Sequence, residues 1–569
     1  MKKKILLLFA ISLVAQWVFS QPKWVDKAKR AVFSIVTYDK DDKMLNSGNG
    51  FFVSEDGVAL SDYSLFKGAR RAVIINYEGK EMSVDAIMGA DDMYDVIKFK
   101  VGITEKKVSA LVLASSAPIV GSEIYLLPYP TQKSRTYTAG KVKAVDKVAE
   151  NYSYYTLDMK LEDKMVSCPL MTMEGNVFGL AQKASGQDTA SICYAVDANY
   201  VMAQKIAALS YNDMALKDIG IKKALPETEE EALIFLYMAS SQLSSEKYME
   251  VLEDFIRQYP NSSDGYLRRA SQRLFTSEDD EASMKLVIED MDQALKVAAQ
   301  KDDVFYSRAK MIYNYVLSHS EKSYGDWSFD KALDEIRQAI AIQPLPVYVQ
   351  TEGDILYAKT DYAGALQAYE KVNQSELGSA ATLFTTAKIK EAMGASPEEV
   401  LAVIDSCVAR FSKPYTQEVA PYLLERAQVL MEVGKARNAV LDYDAYYDAV
   451  KGNVNDVFYY YREQAALKAR QYQRALDDLA KAIELNPKNL TYRAELAVVN
   501  IRVGRNEEAV KILKEALEID PQYAEAYRLI GIAQIQMKQK DAACESFAKA
   551  KDLGDSNVDA LIEKMTSPE

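Results

Sequence analysis

At 569 residues the chain is too long for one core, and its 49% hydrophobic and 27% charged residues are those of soluble globular protein. A net charge of −13 repels nucleic acid and anionic lipid, which removes both from the expected partners. One histidine, His319, and four cysteines with no CxxC pair lack the clustering of a Cys/His zinc site, so no metal and no cofactor are expected.

Residues 1–20 read as a secretory signal. Lys2, Lys3 and Lys4 form its charged end, and Ile5 to Val14 its apolar run. Val18 and Ser20 are small enough to precede a cut between Ser20 and Gln21. The run is short for a span of ~20 residues, and no later segment reaches ~18 uninterrupted apolar residues. No cysteine near the cut offers a lipid anchor. The sequence therefore predicts an exported protein, periplasmic or associated with the outer envelope, with no membrane span after cleavage.

Residues 27–205, within a domain bounded at 21–205, alternate with a period of two. Apolar and β-branched runs at 31–38, 50–53, 71–77, 96–101, 123–127, 154–159, 177–181 and 192–196 are separated by Asp56-Gly57, Glu78-Gly79 and Glu174-Gly175. Many short strands with such turns predict an all-β sandwich or barrel. Gly48 and Gly50 read as a tight turn entering a strand, because no Lys-Ser/Thr follows to hold a phosphate.

Six segments of this region resemble the trypsin-like domain of Deg/HtrA-type serine proteases. Gly48-Asn49-Gly50-Phe51-Phe52-Val53-Ser54-Glu55-Asp56-Gly57 is similar to the family's Gly-x-Gly-Phe-x-x-Ser-x-Asp-Gly turn. Ser61-Asp62-Tyr63-Ser64-Leu65 stands where the family has Thr-Asn-x-His-Val, so Ser64 occupies the position of the base. Asp95-Val96-Ile97-Lys98-Phe99-Lys100 resembles the aspartate motif and keeps Asp95. Lys164-Met165-Val166-Ser167-Cys168-Pro169-Leu170 corresponds to Gly-Asn-Ser-Gly-Gly-Pro-Leu, with Val166 at the nucleophile. The stretches 175–180 and 193–196 match the strands that follow. The resemblance implies a trypsin-like double barrel and, at Ser64, Asp95 and Val166, a degenerate triad with no catalytic residue. Valine has no nucleophilic atom, and the front region has no histidine to act as base. Lys164 replaces the glycine of the oxyanion loop. Two rescues stay open: Ser167 with Lys164 or Lys67, and Cys168 as a thiolate. In the resembled fold Cys168 and Cys193 lie on nearby strands, which implies a disulfide between them.

Residues 206–228 read as a partly helical connector, and from 229 to 557 the period is helical. Ala475, Ala509 and Ala543 recur at a spacing of 34, as do Leu479, Leu513 and Phe547, and Ala482, Ala516 and Ala550. Pro487 and Pro521 close two of these units. The pattern resembles tetratricopeptide repeats, about nine of them, followed by a tail at 558–569. It implies an all-α superhelix whose concave wall is built by the first helix of each repeat. That wall takes Tyr460, Gln464, Leu467 and Lys468, then Val498, Ile501 and Arg502, then Arg528, Ile532 and Ile535. It predicts an apolar strip with basic residues along it. The asparagine clamp with which some members hold acidic C-termini would fall at Gln464, Val498 and Ile532, and is absent. Cys407 and Cys544 are expected to stay free.

The sequence thus predicts a non-catalytic scaffold that binds protein or peptide partners in the cell envelope through its repeats. An atypical serine endopeptidase and a passive spacer are the alternatives.

Overall fold

The computed structural model describes residues 22–103, 107–129, 137–183, 191–277, 280–319 and 324–566; the signal segment 1–20 and Gln21 lie outside the described residues. Two compact units divide the chain, one ending at Ala298 and the other beginning at Ala299.

In the first unit, two closed antiparallel barrels carry six strands each. The first has the order β1-β2-β3-β6-β5-β4, with β1 Val32–Tyr38, β2 Met44–Phe52, β3 Val58–Ser61, β4 Arg71–Ile75, β5 Glu81–Asp91 and β6 Val96–Val101. The second has the order β10-β11-β12-β9-β8-β7, with β7 Glu123–Leu126, β8 Thr138–Ala149, β9 Tyr152–Asp158, β10 Pro169–Met171, β11 Val177–Gln182 and β12 Ile192–Asp197. Alternation fills the first barrel: Phe33 and Ile35 of β1 are fully buried with Phe51, Leu60 and Phe99. Gly48 and Gly50 lie inside β2 rather than in a turn before it. A Cβ at Gly50 would stand 2.6 Å from the Phe33 ring and 2.8 Å from the Leu60 carbonyl, so the glycine is there for close packing.

Residues 206–228 are not a free connector. They form a strap stitched onto the first barrel. Gly68 N donates to Asp218 O (3.0 Å), Gly220 N to Ala69 O (2.7 Å), Ile87 N to Lys222 O (2.8 Å) and Ala224 N to Ile87 O (2.7 Å). The apolar residues between these bonds, Ile206, Leu216, Ile219 and Ile221, are buried in the barrel's own cluster. Phe235 and Leu236 of the helix Glu229–Gln242 join it, as do Leu252 and Phe255 of Ser245–Gln258. One core therefore runs across both boundaries drawn from the change of period.

The implied disulfide does not form: Cys168 and Cys193 are both free and buried. The cause is strand order. β11 stands between β10 and β12, and Ala195 rather than Cys193 lies across it from Cys168, which puts the two cysteines more than ~9 Å apart, beyond the ~7 Å a disulfide spans. Cys407 and Cys544 are also free, the first buried and the second exposed.

Among the described residues, antiparallel helix pairs fill the rest of the chain: two close the first unit and seven make the second. The columns of small residues are the contacts between paired helices. Ala475, Ala509, Ala543, Ala482, Ala516 and Ala550 are all 0% exposed. Where Phe547 replaces leucine, Gly531 makes room, since a Cβ there would meet the ring at 2.5 Å. The tail carries a further helix, Asp559–Thr566, next to the buried Val558.

Forked ion pairs tie first helices to second helices. Arg426 Nε and Nη2 each donate to Asp442 at 2.7 Å, and Arg462 donates to Asp478 at 3.0 and 2.6 Å. One repeat later the same two positions hold Leu496 and Ile512. No helix among the described residues is long and apolar enough to cross a membrane.

Candidate functional site

Three loops of the double barrel carry the three positions matched to the triad. The turn Tyr63–Leu65 after β3 carries Ser64, the β5–β6 loop carries Asp95 and the segment before β10 carries Val166. Ser64 N donates to Asp95 Oδ1 at 2.6 Å and Ser64 Oγ to Asp95 Oδ2 at 3.1 Å. A serine thus makes the contact that would orient a histidine ring, but its hydroxyl is no base at neutral pH. Asp95 holds this place at φ 52, and Ser167 sits at φ 64 where the resembled motif has glycine. Left-handed backbone costs a side-chain-bearing residue of order 1–3 kcal/mol and persists only where its surroundings fix it.

Asn49, buried in β2, supplies that fixation. Its Nδ2 donates to both Lys164 O and Val166 O at 3.0 Å, and Ser61 Oγ donates to Asn49 O at 2.6 Å. Four of the loop's backbone donors are used within the protein. Met165 N donates to Glu162 O, Val166 N to Asp163 O, Ser167 N to Ala181 O and Cys168 N to Met165 O. An oxyanion hole needs such donors aimed at an empty position ~3 Å away. These four are aimed at carbonyls.

Beneath the loop lies a sealed polar pair that motif matching passed over. Asp62 is 4% exposed and Ser167 1%. Asp62 Oδ1 and Ser167 Oγ have no well-formed hydrogen bond. Burial pushes the Asp62 carboxyl up to about 8, with the Ser167 hydroxyl acting in the opposite direction and the Asp95 charge reinforcing the rise. Burial likewise pushes the Cys168 thiol up to about 12, so it is not a thiolate. Lys164 is paired with Glu162 at 3.0 Å, with its side chain 71% exposed.

Asp62 sets a dependence of stability on pH. Its folded pKa lies above that of an unfolded aspartate, so its contribution is complete below pH ~4 and is lost as pH rises towards ~8. Urea titrations at stepped pH should show the first unit losing stability across this window, on the order of 6 kcal/mol from this group. Asp62→Asn should flatten the slope. An unchanged slope in the variant would mean that Asp62 is ionised in the folded protein.

On the repeats, the predicted wall is only partly accessible. Lys468, Arg502 and Ile535 are exposed, and Tyr460, Gln464, Leu467, Val498 and Ile532 are half-buried. Ile501 is 7% exposed and packs in the core with Ala497 and Leu513, so it is not a contact residue. Arg528 is committed to structure, since its Nε and Nη2 donate to Asp555 (2.7 Å) and Glu525 (2.6 Å). Tyr460 packs against Tyr492 with ring centroids 5.4 Å apart.

The strip is also less basic than predicted. Glu463 is 0% exposed beside it, and burial and then Glu495 push its carboxyl up to about 8. Burial and then Glu525 push up Glu495 as well. The sequence held a signal for this: position 463 shares its column with Ala497 and Gly531, the small residues of the helix contact. His319 stacks on Tyr315 at 4.4 Å, at the end of the helix Lys301–Ser318. No group of His, Cys, Asp and Glu among the described residues is placed to hold a metal ion.

Comparison with known proteins follows this division. A family model described as "Trypsin-like peptidase domain" matches residues 48–180. One described as "TPR repeat" matches 502–538, and one described as "Anaphase-promoting complex, cyclosome, subunit 3" matches 432–516. The Small glutamine-rich tetratricopeptide repeat-containing protein 2 of Mycosarcoma maydis is 32% identical over 92 residues, 16% of this chain and 26% of that protein. A TPR repeat-containing protein of Methanocaldococcus jannaschii is 24% identical over 249 residues, 41% of this chain and 42% of its own length. On the barrel side, a "Probable periplasmic serine endoprotease DegP-like" of Halomonas elongata is 25% identical over 137 residues, 23% of this chain and 28% of that protein. The chain spans between 26% and 42% of the length of these relatives.

Proposed function

We propose that this chain, a trypsin-like peptidase domain followed by tetratricopeptide repeats, is an exported, non-catalytic scaffold that holds protein or peptide partners in the cell envelope. One observation carries the non-catalytic half. Where a trypsin-like enzyme needs an open nucleophile, a base and free amide donors, this loop has Val166, Ser64 and four amides bonded to carbonyls. The periplasmic annotation in the name of the Halomonas relative agrees with the tripartite leader read at residues 1–20.

The competing reading, an atypical serine endopeptidase, draws on Ser167 beside Asp62. Its burial argues against it, because a nucleophile must reach a substrate carbonyl and Ser167 is 1% exposed.

The binding half rests on the wall of the second unit. Tyrosine and arginine are among the residues that most often dominate interface energy, and Tyr460 and Arg502 stand there with Lys468. Arg528 is left out of the test, since removing it would strand Asp555. Triple replacement of Tyr460, Lys468 and Arg502 by alanine should reduce capture of crosslinked envelope partners by tenfold or more, on the order of 1.4 kcal/mol, with helical ellipticity preserved. Unchanged capture of the same proteins would move the binding surface to the barrel domain.

A further inference from the structure

A cavity of about 460 Å³ opens in the first unit where the strap crosses between the first barrel and the helix Ser245–Gln258. Its volume lies within the range of small-molecule sites. Six cationic side chains line it: Arg70 and Arg71 before and in β4, Lys217, Lys222 and Lys223 on the strap, and Lys247 on the helix. Two acids, Asp85 and Glu250, face them. Of these six, Arg71 and Lys222 are in ion pairs among the described residues, with Asp42 and Asp254. Arg70, Lys217, Lys223 and Lys247 are left without one, in a protein whose net charge is −13.

The convergence is built by the fold. The strap's backbone bonds at Gly220 and Lys222 fix its path beside Arg70. The Arg70 side chain lies across Gly220 so closely that a Cβ there would stand 2.1 Å from Arg70 Cδ. Lys223 is held on the strap by donating to the Ile219 carbonyl. Burial, then the charges of Arg70 and Lys247, push its ammonium down to about 8, so the three groups act on one another. Leu216 and Ile221 give the cavity an apolar lining. Cations gathered from three separate elements repel one another unless an anion lies between them.

We propose that this cavity is a binding site for a small polyanion carrying at least two phosphate or carboxylate groups. The apolar lining receives the ligand's carbon skeleton, and Arg70, Lys223 and Lys247 neutralise its charges.

Titration calorimetry of the full chain lacking residues 1–20, at fixed ionic strength, with pyrophosphate in one arm and citrate in the other, tests the site. At least one anion should bind with one-to-one stoichiometry, and the stronger arm identifies phosphate or carboxylate as the recognised group. Arg70→Gln and Lys247→Gln should each weaken binding by about tenfold or more, the loss that follows from removing a charge-assisted hydrogen bond. Lys247 is exposed, so its replacement leaves the fold intact. Lys107→Gln, at an exposed pair with Glu55, serves as the control of equal charge change and should bind as the parent does. Absence of binding by both anions overturns the proposal. So does affinity that the two cavity variants leave unchanged, or that the control lowers equally.

Discussion

Arg462→Ala is expected to cost the second unit about 3–5 kcal/mol, as measured by urea unfolding followed through helical ellipticity. The loss comes from the partner rather than from the arginine. Asp478 has a side chain only 4% exposed and receives both forks of Arg462. Burial already pushes its carboxyl up, and Arg462 is the first influence that opposes this. Without Arg462 a charge is left in the helix contact with only Arg474, itself paired with Asp444, to offset it. The chain itself supplies the control. One repeat onward, Leu496 and Ile512 occupy the same two positions, and Ile512 is buried. Replacing the pair together, Arg462→Leu with Asp478→Ile, should therefore stay within about 1 kcal/mol of the parent, since well-packed apolar residues commonly match a buried ion pair. If the double variant is as unstable as the single one, the ion pair has a value beyond satisfying its own desolvation. The stacking of Arg462 on Phe458 at 5.2 Å and on Tyr447 at 5.4 Å would then be the place to look.

Restoring the two lost triad side chains, Ser64→His with Val166→Ser, is expected to leave casein hydrolysis at background. In a working enzyme the triad as a unit is worth about 10⁶ in rate, and each oxyanion donor a further ~10²–10³. The double variant returns side chains only. Its amides at 165–168 would still point at Glu162, Asp163, Ala181 and Met165, and Asn49 would still hold the carbonyls of residues 164 and 166. A fluorophosphonate should leave residue 166 unlabelled for the same reason. Turnover well above background would show that the loop can rearrange when substrate binds.

Every strand that the sequence announced has at least one buried face, and β6 and β11 have two. β1 reads as alternation because Phe33, Ile35 and Thr37 point inward. β8 gave no such signal, since along its 12 residues only Val142 is buried. β5 was hidden by two register shifts, at Val84/Ala86 and Ile87/Gly89, which break a period of two. In the repeats, the alanine columns were legible because a small residue is required wherever two helices touch. At the degenerate site, Ser64, Asp95 and Val166 could be placed by motif, but Asn49 could not: its contribution is two hydrogen bonds to carbonyls 115 and 117 residues away. The wall assignment failed at Ile501 and Arg528 for a related reason. Helical spacing tells which face a residue occupies, whereas burial by the next helix and the presence of Asp555 are set by tertiary packing. The strap read only as a partly helical connector, and its docking on the barrel left no signal, because its apolar residues are spaced by irregular backbone with no period to detect.

That strap has a consequence for how the chain is made. A repeat array is bounded by two end faces, and each needs a cover, because a repeat buries its apolar side only against a neighbour. At the N-terminal end, Phe235, Leu236, Leu252 and Phe255 find their neighbour in the barrel's cluster. During synthesis both barrels leave the ribosome before residues 206–221, so the surface that Ile219 and Ile221 cover stays open until the strap arrives and lays the first helix pair upon it. The double barrel thereby serves as a nucleus, a solid foundation on which the helical chain begins to stack.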